Sequence, residues 1–403
     1  MRILEQIKPS RQEIKRTSEL IDSVLEKIKV PDAKLELGGS YAKDTFLSGN
    51  YDIDVFVRFP YLKYKDADIS QILINSIKQR KKVVHGSRDY VQIEKGKYIF
   101  EFIPVLDIKK ASSAKNITDV SPLHKDWVKR HVKNKDDVRL LKKFCRAGNI
   151  YGAESYIKGF SGYVLEILTY RYGNFFNLVK NASQWKIPVF IDPINHYSSH
   201  KSALSSLNGS KKTSFILIDP TDKTRNAAAA ISGEKLDEFI ALCKNYLHNP
   251  SDEFFIERGI SIRDLKVKSG FNKLLILKVK PRSGKKDVVG NKILKVYDYL
   301  KKQMIKEGFK LIDSGWEFGK KSLIYYVVED SPLEEHRIHY GPPSNRKNHF
   351  EEFRRKWKDH KIYWKDNKCY VMIKRGSITP KRFLKRAIHS SYVKSNVKKI
   401  RLL

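Results

Sequence analysis

Two aspartates separated by one residue stand at the start of an apolar run, Asp52-Ile-Asp54-Val-Phe-Val. Alternate side chains of a strand point to the same face, so both carboxylates are expected on one face and Ile53 and Val55 on the other. Adjacent carboxylates repel each other, and a divalent cation bound between them relieves that repulsion. The pair therefore predicts a metal site. The alternative is an edge strand with two solvated aspartates.

A turn of two glycines and a serine precedes this strand. Gly38 and Gly39 allow the backbone to approach a ligand closely, and the exposed amides of such a turn bind anions such as a triphosphate. Ser40 is expected to be the N-cap of a short helix. An ordinary strand-to-helix turn is the alternative, because glycine and serine are common after strands.

A two-metal transfer site needs a further carboxylate from a neighbouring strand. Glu101 lies in the β-prone run Tyr98-Ile-Phe-Glu-Phe-Ile-Pro-Val and is the first candidate. Asp107 follows six residues later with the same strand parity and is the reserve candidate. Either acid could instead be an exposed strand residue, and the sequence leaves the choice open.

The 403-residue chain has 80 Lys and Arg against 45 Asp and Glu, a formal net charge of +35. Such an excess predicts a polyanionic partner, with an anionic membrane surface as the alternative. No terminal run has the length and apolarity of a membrane span or signal segment. The three cysteines lack zinc or disulfide spacing. We therefore expect a soluble protein in the reducing cytoplasm.

Hydrophobic periodicity divides the chain into three regions. Residues 1–122 are predicted to form an α/β catalytic head, and residues 123–250 a mainly helical domain. Residues 251–403 are predicted to be an α+β, ferredoxin-like domain with a basic tail. Locally, we expect a helix that opens at Asn226, a turn at Gly319 and Lys320, and a rigid loop at Gly341-Pro-Pro.

Two segments of the last region interleave cations with aromatic or apolar residues. They are Phe353-Arg-Arg-Lys-Trp-Lys and Lys381-Arg-Phe-Leu-Lys-Arg. This composition is typical of a surface that touches RNA phosphates, with a solvated helix face as the alternative.

The glycine turn, the aspartate pair and the later strand acid resemble the polymerase-beta-like nucleotidyltransferase superfamily. Other segments are similar in order and spacing to class I, archaeal-type CCA-adding enzymes. These segments are Ser121-Pro-Leu-His-Lys-Asp-Trp, Val138-Arg-Leu-Leu-Lys, Tyr151-Gly-Ala-Glu, Gly159-Phe-Ser-Gly-Tyr, Asp219-Pro-Thr-Asp, Arg225-Asn and His339-Tyr-Gly-Pro-Pro. The resemblance implies template-independent addition of C, C and A to the 3′ end of tRNA from CTP and ATP. The alternatives are a poly(A) polymerase or other RNA 3′-tailing enzyme, and an RNA-binding protein with an inactive transferase domain.

The resemblance also implies site residues, position by position. Asp52, Asp54 and Glu101 would be catalytic and would hold two Mg²⁺ ions. The residues implied to contact the nucleotide are Gly39, Ser40, Lys43, His124, Lys142, Tyr151 and Arg225. Each has a structural alternative, such as Arg225 serving as a partner of Asp219 or Asp222. The family resemblance further implies a homodimer.

Overall fold

The computed structural model describes residues 2–209, 212–319 and 322–403. The chain divides into two compact units, Met1–Arg258 and Gly259–Leu403. The predicted boundaries after residues 122 and 250 stay predictions. The predicted turn at Gly319 and Lys320 lies partly outside the described residues. Within the parts of the chain that the structure describes, the helices lack the combined length and apolarity that crossing a bilayer requires.

The N-terminal unit begins with helices and strands that build one sheet. Its helices are α1 (Arg2–Ile7), α2 (Arg11–Leu25), α3 (Gly39–Ala42), α4 (Tyr61–Tyr64) and α5 (Ile69–Ser76). Its strands are β1 (Lys34–Leu37), β2 (Asp52–Pro60), β3 (Lys82–Val84), β4 (Tyr90–Lys95) and β5 (Tyr98–Asp107). The five-stranded sheet has the order β1-β2-β5-β4-β3, in which β2 and β5 are parallel and the other pairs antiparallel.

Apolar side chains of β2 and β5 form the core of this sheet together with α2 and α5. Val55 and Phe102 are fully buried, and Ile21 of α2 and Leu73 of α5 belong to the same cluster. The alternation expected for β2 is therefore present, because Ile53 and Val55 are buried while Asp52 is exposed. The core fixes the strands and leaves the carboxylates on the opposite face.

The rest of the N-terminal unit is mainly helical, as expected. It contains α6 (Ser121–His131), α7 (Lys135–Ala147), α8 (Gly162–Tyr172), α9 (Phe175–Ala182), α10 (His200–Ser206) and α11 (Gly233–His248). It also holds a small sheet of β6 (Val189–Ile191), β7 (Phe215–Asp219) and β8 (Asp222–Asn226), in that order. Short 3₁₀ turns lie at Ala111–Ser113, Ile117–Val120 and Asp252–Phe255.

The helix predicted from Asn226 starts seven residues later, at Gly233, so that prediction was wrong. Asn226 ends β8, and its side-chain amide accepts the N–H of Leu217 at 3.0 Å and donates to the carbonyl of Phe215 at 3.0 Å. Ser232 then caps the helix by accepting the N–H of Lys235. The asparagine side chain thus ties the alanine-rich segment to β7, which overrides its helix propensity.

The C-terminal unit contains a second sheet and an inserted one. In chain order its elements are α12 (Ile262–Ser269), β9 (Lys273–Lys280), α13 (Lys286–Glu307), β10 (Leu311–Glu317), β11 (Ser322–Val328), β12 (His336–Pro343), α14 (Lys347–Lys356), β13 (Ile362–Lys365), β14 (Lys368–Lys374), α15 (Pro380–Ala387), α16 (Ser391–Asn396) and β15 (Lys399–Leu402). The main sheet has the antiparallel order β10-β11-β9-β15. In the chain, α13 lies between β9 and β10, and together with the strand order this gives the predicted ferredoxin-like arrangement.

The segment from β12 to β14 is an insertion between β11 and α15. It forms its own sheet in the order β12-β14-β13, and the base of the insertion is closed by backbone hydrogen bonds. The N–H of Leu333 donates to the carbonyl of Ile378 at 2.9 Å, and that of Arg375 to Glu335 at 2.7 Å.

The predicted loop at Gly341-Pro-Pro is part of strand β12, so that prediction was also wrong. Its pairing with β14 shifts register between Tyr340 and Pro343. A proline has no N–H to give to a ladder, and a register shift lets the strand continue past it.

Candidate active site

Three acidic side chains share one face of the N-terminal sheet. Asp54 of β2 and Glu101 of β5 are paired in register on these parallel strands. Paired positions on neighbouring strands lie about 5 Å apart and point to the same face. Asp52 lies two positions earlier on that face. Asp107 is paired with Pro60 at the other end of the strands and forms an ion pair with Arg58. The structure thus places Glu101, not Asp107, beside the aspartates.

The three acids carry charges of the same sign, so they cannot neutralise one another. Burial and the negative charges of Glu101 and Asp52 raise the pKa of Asp54 to about 7, against the opposing charge of Lys43. Carboxylate oxygens are the ligands that hard divalent cations prefer. Among the described residues, no group of three or more His, Cys, Asp and Glu is already arranged to hold a metal. The acids fit a divalent cation by their chemistry and by their placement on one face.

Two neighbours on β4 hold the side chain of Glu101. Gln92 is the register partner of Glu101, and its Nε2 donates to Oε1 of Glu101 at 2.6 Å. Tyr90 lies on the same side of β4 and hydrogen-bonds Glu101. Burial and the charge of Glu101 raise the pKa of Tyr90 to about 12, so its hydroxyl remains a donor at neutral pH. Neither residue was predicted from the sequence, although their shared parity on β4 was readable there.

The Gly38 and Gly39 turn lies directly against the acids. The N–H of Gly38 donates to the backbone carbonyl of Asp54 at 2.8 Å. Gly39 has φ of +56°, and a Cβ at this position would lie 1.6 Å from Oδ2 of Asp54. Helix α3 begins at Gly39 with Gly38 as its N-cap, so the expected cap at Ser40 was wrong. The glycine is required both for its backbone angle and for its lack of a side chain.

Gly39→Ala is expected to lower nucleotide-transfer activity about a hundredfold, because a shift of the reacting geometry by about 1 Å has effects of that size. The added methyl group would displace the carboxylate of Asp54. Initial rates of labelled nucleotide incorporation measure the effect. The matched control is Gly49→Ala, since Gly49 has φ of +75° but no atom within 4 Å of its Cβ position. Equal loss in both variants would show that backbone strain, not displacement of Asp54, is responsible.

A second group of residues links the loop after α3 to α7 and α8. Lys43 Nζ lies 2.6 Å from Oε2 of Glu166, whose side chain is fully buried. Lys142 Nζ donates to the backbone carbonyl and hydroxyl of Thr45 at 2.8 and 2.9 Å, and lies 3.6 Å from Oε1 of Glu166. We call Lys43, Thr45, Lys142 and Glu166 the buried lysine cluster. It brings together two of the predicted nucleotide contacts.

The side chain of Tyr151 lies next to this cluster at Gly162, the first residue of α8. A Cβ at Gly162 would lie 3.2 Å from the Tyr151 hydroxyl and 3.3 Å from Cε of Lys142, so the two side chains meet at that glycine. The guanidinium of Arg146 lies 5.0 Å from the centre of the Tyr151 ring. Burial raises the pKa of Tyr151 to about 12, which keeps the phenol protonated.

The remaining predicted contacts, His124 and Arg225, meet at Asp219. Arg225 Nη1 lies 2.5 Å from Oδ2 of Asp219, and His124 Nε2 lies 3.0 Å from the same oxygen. Tyr163 donates to Oδ1 at 2.9 Å and stacks on His124 with ring centres 4.1 Å apart. The backbone N–H of Thr221 donates to Oδ1 at 2.8 Å. The structural alternative for Arg225, a partner for Asp219, is therefore present.

Burial and hydrogen bonding act in opposite directions on this group. Burial lowers the pKa of His124, so the imidazole is neutral near neutral pH. Burial alone would raise the pKa of Asp219, but the contact with His124, the charge of Arg225 and the N–H of Thr221 lower it overall. Asp219 is thus a buried carboxylate that stays ionised and anchors two side chains expected at the nucleotide.

The chain matches three protein-family models in succession. A nucleotidyltransferase domain covers residues 17–124, the second domain of tRNA nucleotidyltransferase covers 136–256, and the C-terminal domain of CCA-adding enzyme covers 276–401. The last match does not favour the alternative of a poly(A) polymerase or other tailing enzyme.

Similar proteins named CCA-adding enzyme occur in several organisms. The one from Nanoarchaeum equitans is 35% identical over 348 residues, which covers 84% of this chain and 85% of that protein. The one from Sulfurisphaera tokodaii is 31% identical over 399 residues, covering 95% of this chain and 90% of that protein. The one from Methanosarcina barkeri is 31% identical over 376 residues, covering 88% and 80%. The chain therefore belongs to the family of CCA-adding enzymes, which are tRNA nucleotidyltransferases.

Proposed function

We propose that the protein adds C, C and A to the 3′ end of tRNA from CTP and ATP without a nucleic-acid template. The observation that carries the chemistry is the in-register pairing of Asp54 with Glu101 beside the Gly39 turn. Family membership supports the choice of tRNA, CTP and ATP, because the relatives are named for CCA addition. In this proposal the tRNA 3′ oxygen bonds to the α-phosphorus while the bond to pyrophosphate breaks.

In this mechanism, Asp52, Asp54 and Glu101 would hold divalent cations, which we propose to be Mg²⁺. Bound there, such ions lower the pKa of the attacking hydroxyl and offset the charge on the triphosphate and departing pyrophosphate. Glu101 orients the attacking hydroxyl, and the hydrogen bonds from Gln92 and Tyr90 keep its carboxylate in one position.

The predicted nucleotide contacts lie in the same N-terminal unit as these acids. We propose that the backbone at Gly39 and the hydroxyl of Ser40 receive phosphate oxygens, with Lys43 and Lys142 supplying positive charge. His124 and Tyr151 close the sugar and triphosphate site, and Arg225, held by Asp219, offers its remaining donors to the base. A guanidinium has five N–H donors, so one ion pair leaves others for the base.

A direct test uses tRNA transcripts that end before the C, C or A position, each incubated with one labelled NTP and Mg²⁺. Incorporation of C, C and then A, followed by a stop, is the expected result. Long homopolymer tails would instead identify a tailing enzyme, and binding without incorporation would identify an inactive transferase domain.

Binding of tRNA is expected to weaken steeply with salt, roughly a hundredfold between 50 and 200 mM, because phosphate contacts release counterions. The net charge of +35 and the exposed cations of α15, such as Lys381 and Lys385, support this expectation. Filter binding over a salt series measures the slope. Replacing Lys381 and Lys385 by Gln should reduce the slope, whereas Lys15→Gln, on an exposed part of α2, serves as the control. Affinity that does not change with salt would contradict this role of charge.

The expected compartment and assembly state belong to the same proposal. The cysteines Cys145, Cys243 and Cys369 are all free and buried, which supports a reducing compartment such as the cytoplasm. A homodimer, implied by the family resemblance, stays a prediction that light scattering can test.

A further inference from the structure

Glu166 is a buried acid with no role assigned by the proposed reaction. Its side chain is fully buried on α8, and Leu165 and Ile167, which flank it in the sequence, are fully buried as well. An acid in that position destabilises the fold unless its charge is compensated by partners. Its partners are residues that the proposed function places at the nucleotide, so the cost of burial is offset inside the active site.

The two oxygens of Glu166 divide their contacts. Oε2 accepts a hydrogen bond from Lys43 at 2.6 Å, and Oε1 accepts one from the hydroxyl of Thr45 at 2.7 Å. Lys43 and Thr45 lie in the loop after α3, whereas Glu166 lies on α8. One carboxylate thus fixes the loop that follows the glycine turn against the helical part of the unit.

The buried lysine cluster also has an uneven charge count. Lys43 and Lys142 are 12% and 4% exposed, and Glu166 is the acid that contacts both. Within the cluster, two ammonium groups against one carboxylate leave one positive charge in excess. Arg146 adds positive charge near Lys142. Asp54 offsets part of the charge of Lys43. A triphosphate carries negative charge, and its binding nearby would neutralise that excess.

We propose that Glu166 is a positioning residue for the nucleotide: it holds the Lys43 and Thr45 loop against α8 and supplies the negative charge that lets Lys43 and Lys142 both remain ammonium groups. This inference rests on the proposed function, because it takes the triphosphate as the anion that completes the cluster. Glu166 would then govern both the charge and the placement of the two lysines.

The electrostatics of Lys142 agree with this geometry. Burial lowers the pKa of Lys142 to about 8, Glu166 opposes that shift, and Lys43 and Arg146 reinforce it. Near pH 7 the amine is therefore mostly protonated before the nucleotide arrives. Without the charge of Glu166, the opposing influence is lost, and Lys142 is expected to be neutral until an anionic triphosphate binds.

The test is calorimetric titration of the full chain with CTP and Mg²⁺ at pH 7, in buffers of different ionisation enthalpy, which counts the protons taken up on binding. Any proton that Mg²⁺ displaces from Asp54 is common to both proteins, so the readout is the difference between them: we expect Glu166→Gln to take up close to one proton more than the natural protein. The kcat/KM of C addition should fall about tenfold at pH 7 in Glu166→Gln and recover as the pH is lowered, since one pKa unit corresponds to tenfold.

Two further variants separate charge from placement and from stability. Glu166→Asp keeps the charge on a shorter side chain, so its proton uptake should match the natural protein while kcat falls. Thr169→Val on the same helix removes a buried hydroxyl that donates to the Leu165 carbonyl at 2.8 Å, and both readouts should stay unchanged.

If folded Glu166→Gln takes up no more protons than the natural protein, the proposed role of the Glu166 charge is wrong. If Glu166→Asp has the same kcat as the natural protein, the proposed role in placement is wrong. If Glu166→Gln does not fold, Glu166→Asp still decides the placement claim. Absence of C addition by the natural protein would instead count against the proposed function, whereas CTP titration does not require turnover.

Discussion

Asp54→Asn is expected to lower nucleotide addition roughly a thousandfold, the size of effect seen when a group that stabilises transition-state charge is removed. The amide keeps the shape of the side chain but loses the negative charge beside Glu101. Binding of tRNA should stay within about threefold, because phosphate contacts supply most of that affinity. Single-turnover incorporation and filter binding measure the two effects on the same preparation.

The Asp54→Asn substitution should lower activity but should not lower stability at alkaline pH. Because the pKa of Asp54 is about 7 in the folded protein and 3.8 in the reference state, the folded state holds a proton that the unfolded state has released. Stability without divalent cation is then full below about pH 4 and falls as the pH rises towards 7. Asp54→Asn removes this loss, so its unfolding midpoint at pH 8 in chelator should equal or exceed that of the natural protein.

Asp107→Asn is the matched control, because Asp107 is the other acid on β5 with the right parity. Its side chain is 51% exposed and paired with Arg58 at the far end of the strands. We expect activity within about threefold of the natural protein, as is usual for exposed ion pairs. If Asp107→Asn loses as much activity as Glu101→Gln, the assignment of the third carboxylate to Glu101 is wrong.

Asp219→Asn is expected to reduce the free energy of unfolding by about 3 kcal/mol, because it leaves buried partners without their anion. Arg225 and His124 both lie within 3.0 Å of Oδ2, and an amide cannot accept at both oxygen positions. Because Arg225 is proposed to present donors to the base, kcat/KM for nucleotide addition should fall as well. Urea unfolding at pH 7 and initial-rate assays measure the two effects.

The stability of Asp219→Asn should fall less at acid pH than the stability of the natural protein does. The pKa of Asp219 is lowered in the folded protein, so its stabilising contribution is present above pH 3.8 and is lost as the pH falls below that value. Asp222→Asn is the control, since Asp222 is partly exposed and its Oδ1 accepts from the nearby Thr224 hydroxyl and N–H at 2.7 and 3.0 Å. Equal destabilisation by both variants would argue against a special role of the Asp219 contacts.

Much of the carboxylate site was readable from the sequence, because strand parity alone places Asp52 and Asp54 on one face. The position of Glu101 needed more, since the register of β5 against β2 is a long-range pairing that local patterns do not determine. The β-prone run made Glu101 the first candidate and the family resemblance implied it, with Asp107 kept in reserve; the structure places Glu101 opposite Asp54.

Glu166 was missed for a different reason. Hydrophobic periodicity does not single it out, because an acid in a helix is normally expected on the exposed side. The run Val164–Thr169 contains no charge besides Glu166, which was a readable signal that α8 is buried on all sides. The wrong helix start at Asn226 has a similar origin, because alanine propensity was weighed without the side-chain bonds to β7 that no local rule provides.

The inserted sheet in the C-terminal unit has an evolutionary consequence. Because its two ends are joined by hydrogen bonds between Leu333 and Ile378 and between Arg375 and Glu335, it leaves and re-enters the host domain at one point. A module attached in this way can be gained, trimmed or exchanged between lineages while the host sheet keeps its strand order. Differences in sequence and length among homologues in this insertion should therefore destabilise the main sheet of the C-terminal unit little.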